Sequence, residues 1–203
     1  MACIQKGQIS SSRSVDELKA EITDFIRENL KEKRIKHTYS VVLEARKLAE
    51  KYGADPDKAE LAALFHDMFR SMSSAVLNMY IRQLGLPKKY IDNPNLSHAK
   101  IAAEVMKSKY DIIDEDLINA VAYHTTGREN MSLLEKVIFL ADAIEPDRNY
   151  PTVEETRALA YENIDKACMN SLERTIEYIQ GTGNYLDPDT INARDYLKEN
   201  MNL

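Results

Sequence analysis

The sequence predicts a single all-α domain, and three observations carry that reading. Apolar residues recur at spacings of three and four along most of the chain, the period of a helix with one buried face. Helix-start signals punctuate those stripes at regular intervals. Strand-like alternation, internal repeats and low-complexity tracts are absent, and only 6 Gly and 6 Pro occur in 203 residues, too few for a loop-rich β fold. Counting stripes and breaks gives roughly eight to ten helices.

Residues 1–13 carry no such signal and are expected to be a flexible tail, leaving 14–203 as the domain. Ser14 and Glu17 have the spacing of a capping box, and Leu18, Ile22, Phe25 and Ile26 follow on one stripe. His37, Val41, Ala45, Leu48 and Tyr52 continue the period to a break at KYGAD. Asp55-Pro56 opens the next helix, Asp as N-cap and Pro in the first turn. Its stripe is Leu61, Leu64, Phe65 and Met68, and the pair His66-Asp67 closes it. Beyond the break QLGLPKKYIDNPN, His98 leads into Ile101, Ala102 and Val105. Ile113, Leu117, Ala120 and Val121 lead to His124, and Leu134, Ile138 and Phe139 lead to Asp142. Thr152 with Glu155 reads as a second capping box, QGTGNY as a break, and Asp187-Pro188 as the start of a last short helix.

Composition narrows the function. A net charge of −6 disfavours a broad nucleic-acid surface, while 44% hydrophobic residues suffice for one core. No stretch reaches the roughly 20 apolar residues that span a bilayer, so no membrane partner is expected. The segment MACIQKGQISSSRS has no signal-peptide core, and Cys3 and Cys168 make a poor disulfide framework, so a reducing cytoplasm fits. The glycines of GTGNYLDPD lack the spacing and lysine of a P-loop, and the eight methionines read as core filler.

All four histidines, with Asp67 and Asp142, fall where a helix stripe faces inward. A single such histidine is commonly a hydrogen-bonded core residue. Four in one chain, accompanied by two acids, strain that explanation. An acid buried unpaired costs several kcal/mol, and no inward Lys or Arg lies near enough in sequence to serve each one. A shared divalent metal satisfies the whole set. Ala62 and Ala63, one turn before the pair, clear space for it.

The stretches RIKHTYSVVLEA, LAALFHDMFR, LSHAKIAAE, VAYHTTG, LADAIEPDRNYPTVEETR and TINARDYL run from about residue 34 to 197. In that order they resemble the HD-domain phosphohydrolases and, more narrowly, the YqeK-type family of symmetrical bis(5′-nucleosyl)-tetraphosphatases. The resemblance implies a helical HD-domain bundle that cleaves diadenosine tetraphosphate to two ADP with a metal commonly taken as iron. Two imidazoles and two carboxylates independently suit Fe, Mn or Zn over Mg or Ca. One departure stands out: Arg70 occupies a position where the family usually has Lys, which keeps the charge and alters the geometry.

With that likeness, His37, His66, Asp67 and Asp142 are assigned to the metal, and Asp67 also bridges a second ion or orients the nucleophilic water. His98 and His124 act catalytically, either by contacting phosphate oxygens or by completing a second metal site; the number of ions, one or two, stays open. Arg34, Arg70, Arg148 and Thr125 are expected to bind the polyphosphate, and Tyr185 to stack on a base. The partner is a small-molecule nucleotide, and a homodimer is left open. The alternatives are another HD-type nucleotide phosphatase acting on nucleoside mono- or diphosphates, a nucleotide-binding regulator without turnover, and a helical protein with an inert metal staple.

Overall fold

A computed structural model describes residues 9, 10 and 12–201. Among them the helices are α1 (Val15–Asn29), α2 (Glu32–Tyr52), α3 (Pro56–Phe65), α4 (Ser74–Gln83), α5 (Pro94–Tyr110), α6 (Glu115–Ala122), α7 (Leu133–Ile144), α8 (Val153–Glu162), α9 (Ile164–Thr182) and α10 (Pro188–Asn200). A 3-10 turn spans Lys88–Tyr90, and the described residues contain no strand, only one backbone bridge between Ser10 and Ile112. Most of the segment 1–13, Cys3 included, lies outside the described residues. Of its described part, Ile9 and Ser10 are buried, and the Ile9 carbonyl accepts from the Ile113 amide at 3.0 Å.

The start signals act largely as read. Ser14 and Glu17 form both bonds of the capping box, and Asp55 and Asp187 cap α3 and α10, each followed by its proline. Thr152 is the exception: its backbone is left-handed (φ 70°) and its hydroxyl makes no capping bond. A side-chain cap needs an extended residue whose oxygen faces the N2 and N3 amides, so the box with Glu155 does not form. Two boundaries also move. Helix α9 runs through Gly181 and Thr182 until Gly183 (φ 68°) caps it in the left-handed conformation. Ile113 is 55% exposed and precedes α6, so the stripe toward His124 begins at Leu117.

Helices α3 and α7 are buried on nearly every side, as apolar helices at the centre of a domain are. Helix α2 lies along both, α6 packs against the pair from another side, and α9 covers α7. Ala59, Ala62 and Ala63 on α3 are wholly buried, and their small side chains let the neighbouring helices come close. Each fully buried Leu or Ile here, such as Leu48, Leu61 and Ile138, contributes about 1.5–3 kcal/mol. None of the described helices is long and apolar enough to cross a membrane. Cys168 is a buried free thiol.

Candidate metal centre

The pair His66-Asp67 sits just beyond a helix, not within one. Helix α3 ends at Phe65, and from there the chain tightens into turns in which Met68, Arg70 and Met72 each bond back three residues. Successive residues of a continuing α-helix would point about 100° apart; leaving the helix lets both side chains face one centre. His124 repeats the device, following the end of α6 at Ala122 by two residues. His37 lies on α2, His98 in the early turns of α5, and Asp142 near the end of α7.

The outer nitrogen of every imidazole is held. His66 Nδ1 lies 2.6 Å from the Ala63 carbonyl, and His124 Nδ1 lies 2.8 Å from that of Val121. Both are last-turn carbonyls left without an intrahelical partner when a helix stops. His98 Nδ1 is 2.8 Å from the Pro94 carbonyl, and His37 Nδ1 is 3.1 Å from Glu145 Oε1. A carbonyl can only accept, so the Nδ1 of His66, His98 and His124 carries the proton and donates it. Their Nε2 lone pairs then point inward.

Those inner nitrogens converge on Asp67. Its Oδ1 lies 3.1 Å from His98 Nε2 and 3.9 Å from His124 Nε2; its Oδ2 lies 3.7 Å from His37 Nε2 and 3.8 Å from His66 Nε2. Asp142 Oδ1 stands 3.1 Å from His37 Nε2. The donors fall into two groups that share one carboxylate: His37, His66 and Asp67, and Asp67, His98 and His124, each with its ligand atoms within 4.8 Å. The imidazole nitrogens face each other at 3.4 Å (His37 and His66) and 3.3 Å (His98 and His124). Lone pairs at that separation, beside a carboxylate, are stabilised by a cation among them, so the donor set fits divalent metal.

The electrostatics agree. Burial pushes His66 down and holds His124 down to about 3, so both rings are neutral, as metal ligands must be. Burial alone would raise the Asp67 carboxyl; positive charge on the imidazoles of His66 and His98 would hold it well below the usual carboxylate range, and with those rings neutral a bound cation would supply that charge. Asp142 is likewise held down, against burial, by the Arg148 guanidinium and His37. His37 goes the other way: burial depresses it, and the contact with Asp142 more than offsets that.

A cavity of about 390 Å³ opens beside these groups. Of the residues expected to bind polyphosphate, Arg34, Arg70, Arg148 and Thr125 all line it, together with Asp67, His98, His124 and Asp142. The arginines already have partners. Arg34 donates to Asp67 Oδ2 at 3.1 Å, Arg148 pairs with the Asp142 carboxylate, and Arg70 reaches Asn95 Oδ1 at 2.7 Å. The expectation that no cation stands near enough to serve each acid is therefore corrected. Arg34 lies one turn before His37, and a turn bonding the Arg148 amide to the Glu145 carbonyl brings Arg148 back to Asp142. Tyr185 is not in this cavity. It is 49% exposed, in a neighbouring cleft of about 610 Å³ that shares Asn95, Leu96, Tyr178 and Ile179 with it.

Sequence reasoning missed Glu145 and Arg157, although both lie inside the LADAIEPDRNYPTVEETR stretch. Glu145 is buried and orients His37. Arg157 donates to the carbonyls of Ile144, Glu145 and Arg148 at 2.8–2.9 Å, fastening the segment that carries Glu145 and Arg148. Tyr150 and a face of α9 also line the cavity. Nothing in the apolar pattern of α9 separates that face from ordinary surface.

Comparison with known proteins agrees with the geometry. The family model for the HD domain matches residues 34–147, from the first arginine of the cavity to the turn before Arg148. The chain is 38% identical over 173 residues to the "Bis(5′-nucleosyl)-tetraphosphatase, symmetrical" of Bacillus subtilis, covering 85% of this chain and 93% of that one. It is 40% identical over 174 residues to the protein of the same name from Halalkalibacterium halodurans, with the same coverage. Among solved structures, a "predicted HD superfamily hydrolase involved in NAD metabolism" from Clostridium acetobutylicum superposes with a TM-score of 0.83. The two are 40% identical, and the match covers 89% of this chain and 96% of that one.

Proposed function

The chain belongs to the HD-domain family, and on that premise we propose that it is a metal-dependent hydrolase cutting diadenosine tetraphosphate symmetrically into two ADP. The observation that carries the reading is the convergence of four imidazole Nε2 atoms on the two oxygens of Asp67, all within 3.9 Å. The site sits beside a cavity rimmed by Arg34, Arg70 and Arg148. Its relatives at 36–40% identity are symmetrical tetraphosphatases, and its donor set is complete, so neither another nucleotide phosphatase nor a silent regulator is favoured.

We assign His37, His66, Asp67 and Asp142 to one ion and Asp67, His98 and His124 to a second. The tautomers support His98 and His124 as ligands: with Nδ1 donating to a carbonyl, Nε2 has no proton to offer a phosphate oxygen. Imidazole and carboxylate together suit iron, with manganese or zinc compatible with the same donors. When bound, such ions polarise the phosphoryl group and acidify a water to a nucleophile. The chain's own residues do the rest. Arg34, Arg70 and Arg148 neutralise and align the phosphate chain, and their planar guanidinium forks suit its oxygens. The Thr125 hydroxyl has no hydrogen-bond partner among the described residues and is placed to donate to a phosphate oxygen. Water adds to one central phosphorus, the bridging P–O bond breaks, and the electron pair leaves with the second ADP, stabilised by the guanidinium charges. Glu145 keeps His37 oriented throughout.

The test pairs elemental analysis of the purified protein with chromatography of diadenosine tetraphosphate digests. ADP alone is expected, together with bound transition metal and loss of turnover in His66→Ala. AMP plus ATP would overturn the symmetrical assignment, and equal turnover by His66→Ala would overturn the assigned centre.

A further inference from the structure

Helix α9 carries two stripes. Ile164, Ala167, Cys168, Leu172 and Ile176 face the core. Ser171, Arg174, Thr175, Tyr178 and Ile179, spaced by three and four, line the cavity beside the metal donors. A helix that merely packed there would present apolar residues; this one presents a cation and hydroxyls. The whole stripe lies beyond residues 34–147, the stretch shared with HD domains in general.

Three polar atoms in this wall are buried without a hydrogen-bond partner among the described residues: Arg174 Nε, the Tyr150 hydroxyl and the Thr125 hydroxyl, and all three residues line the one cavity. The Arg174 guanidinium carbon lies over the Tyr150 ring, 3.6 Å from its centroid, a contact that helps to hold it in place. A buried polar group without a partner is costly. These three share a property: each can donate, and Arg can only donate. Their complement is a ligand rich in acceptor oxygens and negative charge. Of the other cavity arginines, Arg34 pairs with Asp67, Arg148 with Asp142 and Arg70 with Asn95, whereas Arg174 makes no such pairing among the described residues. The cavity continues past Tyr178 and Ile179 into the cleft with Asn184 and Tyr185, where the rest of a nucleotide finds room.

We propose that Arg174, supported by the hydroxyls of Tyr150 and Thr125, forms a second phosphate subsite that holds the nucleoside-diphosphate half of the substrate lying away from the metal donors. This rests on the proposed function and deepens it. A symmetrical substrate is thereby held unsymmetrically: one half by the metal-side arginines, the other by α9. The subsite selects substrates with phosphate on both sides of the broken bond, which a bare HD core would not do.

The test is Arg174→Ala, with Tyr150→Phe as the variant that keeps the ring under Arg174. Losing one charge-assisted contact is expected to raise KM for diadenosine tetraphosphate about 10- to 100-fold, with kcat changed by less than about threefold. Calorimetry is expected to show ADP binding weakened by a similar factor and the thermal midpoint preserved. Tyr150→Phe is expected to weaken ADP by about three- to tenfold. ADP affinity and KM both within twofold of wild type in Arg174→Ala would overturn the subsite, as would a loss of kcat accompanied by a lowered melting midpoint. The two readings fail separately. Symmetrical cleavage with affinity indifferent to Arg174 sinks the subsite alone; Arg174-dependent ADP binding without cleavage sinks the proposed reaction alone.

Discussion

His98 Nε2 lies 3.1 Å from Oδ1 of Asp67, and the other oxygen of that carboxylate faces His37 and His66. One side chain thus joins the two halves of the centre. Asp67→Asn leaves a single acceptor oxygen and turns an NH2 group toward one set of imidazoles. The expected result is loss of at least one ion by elemental analysis and a fall in kcat on the order of 10³-fold. His98→Ala, which touches one half only, is expected to retain metal at His37 and His66 while losing turnover. Undiminished metal in Asp67→Asn would refute the shared ligand.

Glu145 acts one step further out. Its Oε1 accepts from His37 Nδ1 at 3.1 Å and its Oε2 from the Asp147 amide at 2.7 Å, and the residue is 2% exposed. Removing a carboxylate that orients a metal-bound imidazole typically costs 10- to 100-fold in metal affinity. Glu145→Ala is expected to show that loss in a chelator competition. Glu145→Gln, whose amide oxygen still accepts from His37, is expected to lose less. Equal chelator resistance in all three proteins would show that His37 needs no such support.

Arg157 fastens the same segment from behind. Its guanidinium caps the carbonyl of Ile144 and reaches those of Glu145 and Arg148, so one side chain closes the end of α7 and sets the turn beyond it. Arg157→Ala leaves the carbonyls of Ile144 and Arg148 without that donor, while the Glu145 carbonyl keeps the Arg148 amide, at a cost of about 1–3 kcal/mol. The thermal midpoint is expected to fall by roughly 2–4 °C for each kcal/mol lost. Turnover is expected to fall at least about tenfold, because Glu145 and Arg148 lose their fixed positions. Arg157→Lys, a point donor without the fork, is expected to restore stability better than turnover.

The sequence and the structure part company in instructive places. Helix period and caps located α1, α3 and α10 because those signals are local: Ser14, Asp55 and Asp187 each act within three residues. The inward convergence of the four histidines with Asp67 and Asp142 was legible for a related reason, since an ionisable residue at the end of an apolar stripe has nowhere to point but inward. Glu145 and Arg157 were not, because their roles depend on where a turn after α7 takes the chain. The α9 wall was hidden for a third reason: a polar stripe facing a cavity has the same pattern as one facing solvent. Thr152 shows the converse, a correct local pattern overridden by a left-handed backbone at the residue that had to be extended.

The buried imidazoles also fix how the metal-free protein responds to pH. Burial depresses His66 and holds His124 down to about 3, against an ordinary value of 6.5. Below 6.5 the unfolded chain therefore binds protons at these residues that the native protein refuses, and stability falls as pH falls toward their native values. Asp67 and Asp142, also depressed, have the same sign at lower pH: their contribution is present above the ordinary carboxylate range and is lost as pH falls through their native values. His37 opposes them. Its raised value contributes stability below 6.5 that disappears as pH rises through its native value. Two depressed histidines outweigh one raised one, each contributing up to about 1.4 kcal/mol per pH unit. Chelator-treated protein is therefore expected to lose several degrees of thermal midpoint between about pH 7 and 5.5, at roughly 2–4 °C per kcal/mol. Metal-loaded protein should hold its midpoint near neutrality and lose it more steeply once protons displace the ions from the imidazoles. A midpoint of the chelated protein that stays level or rises on acidification to pH 5.5 would show that His66 and His124 take up protons in place, contradicting a neutral, inward-facing ligand set.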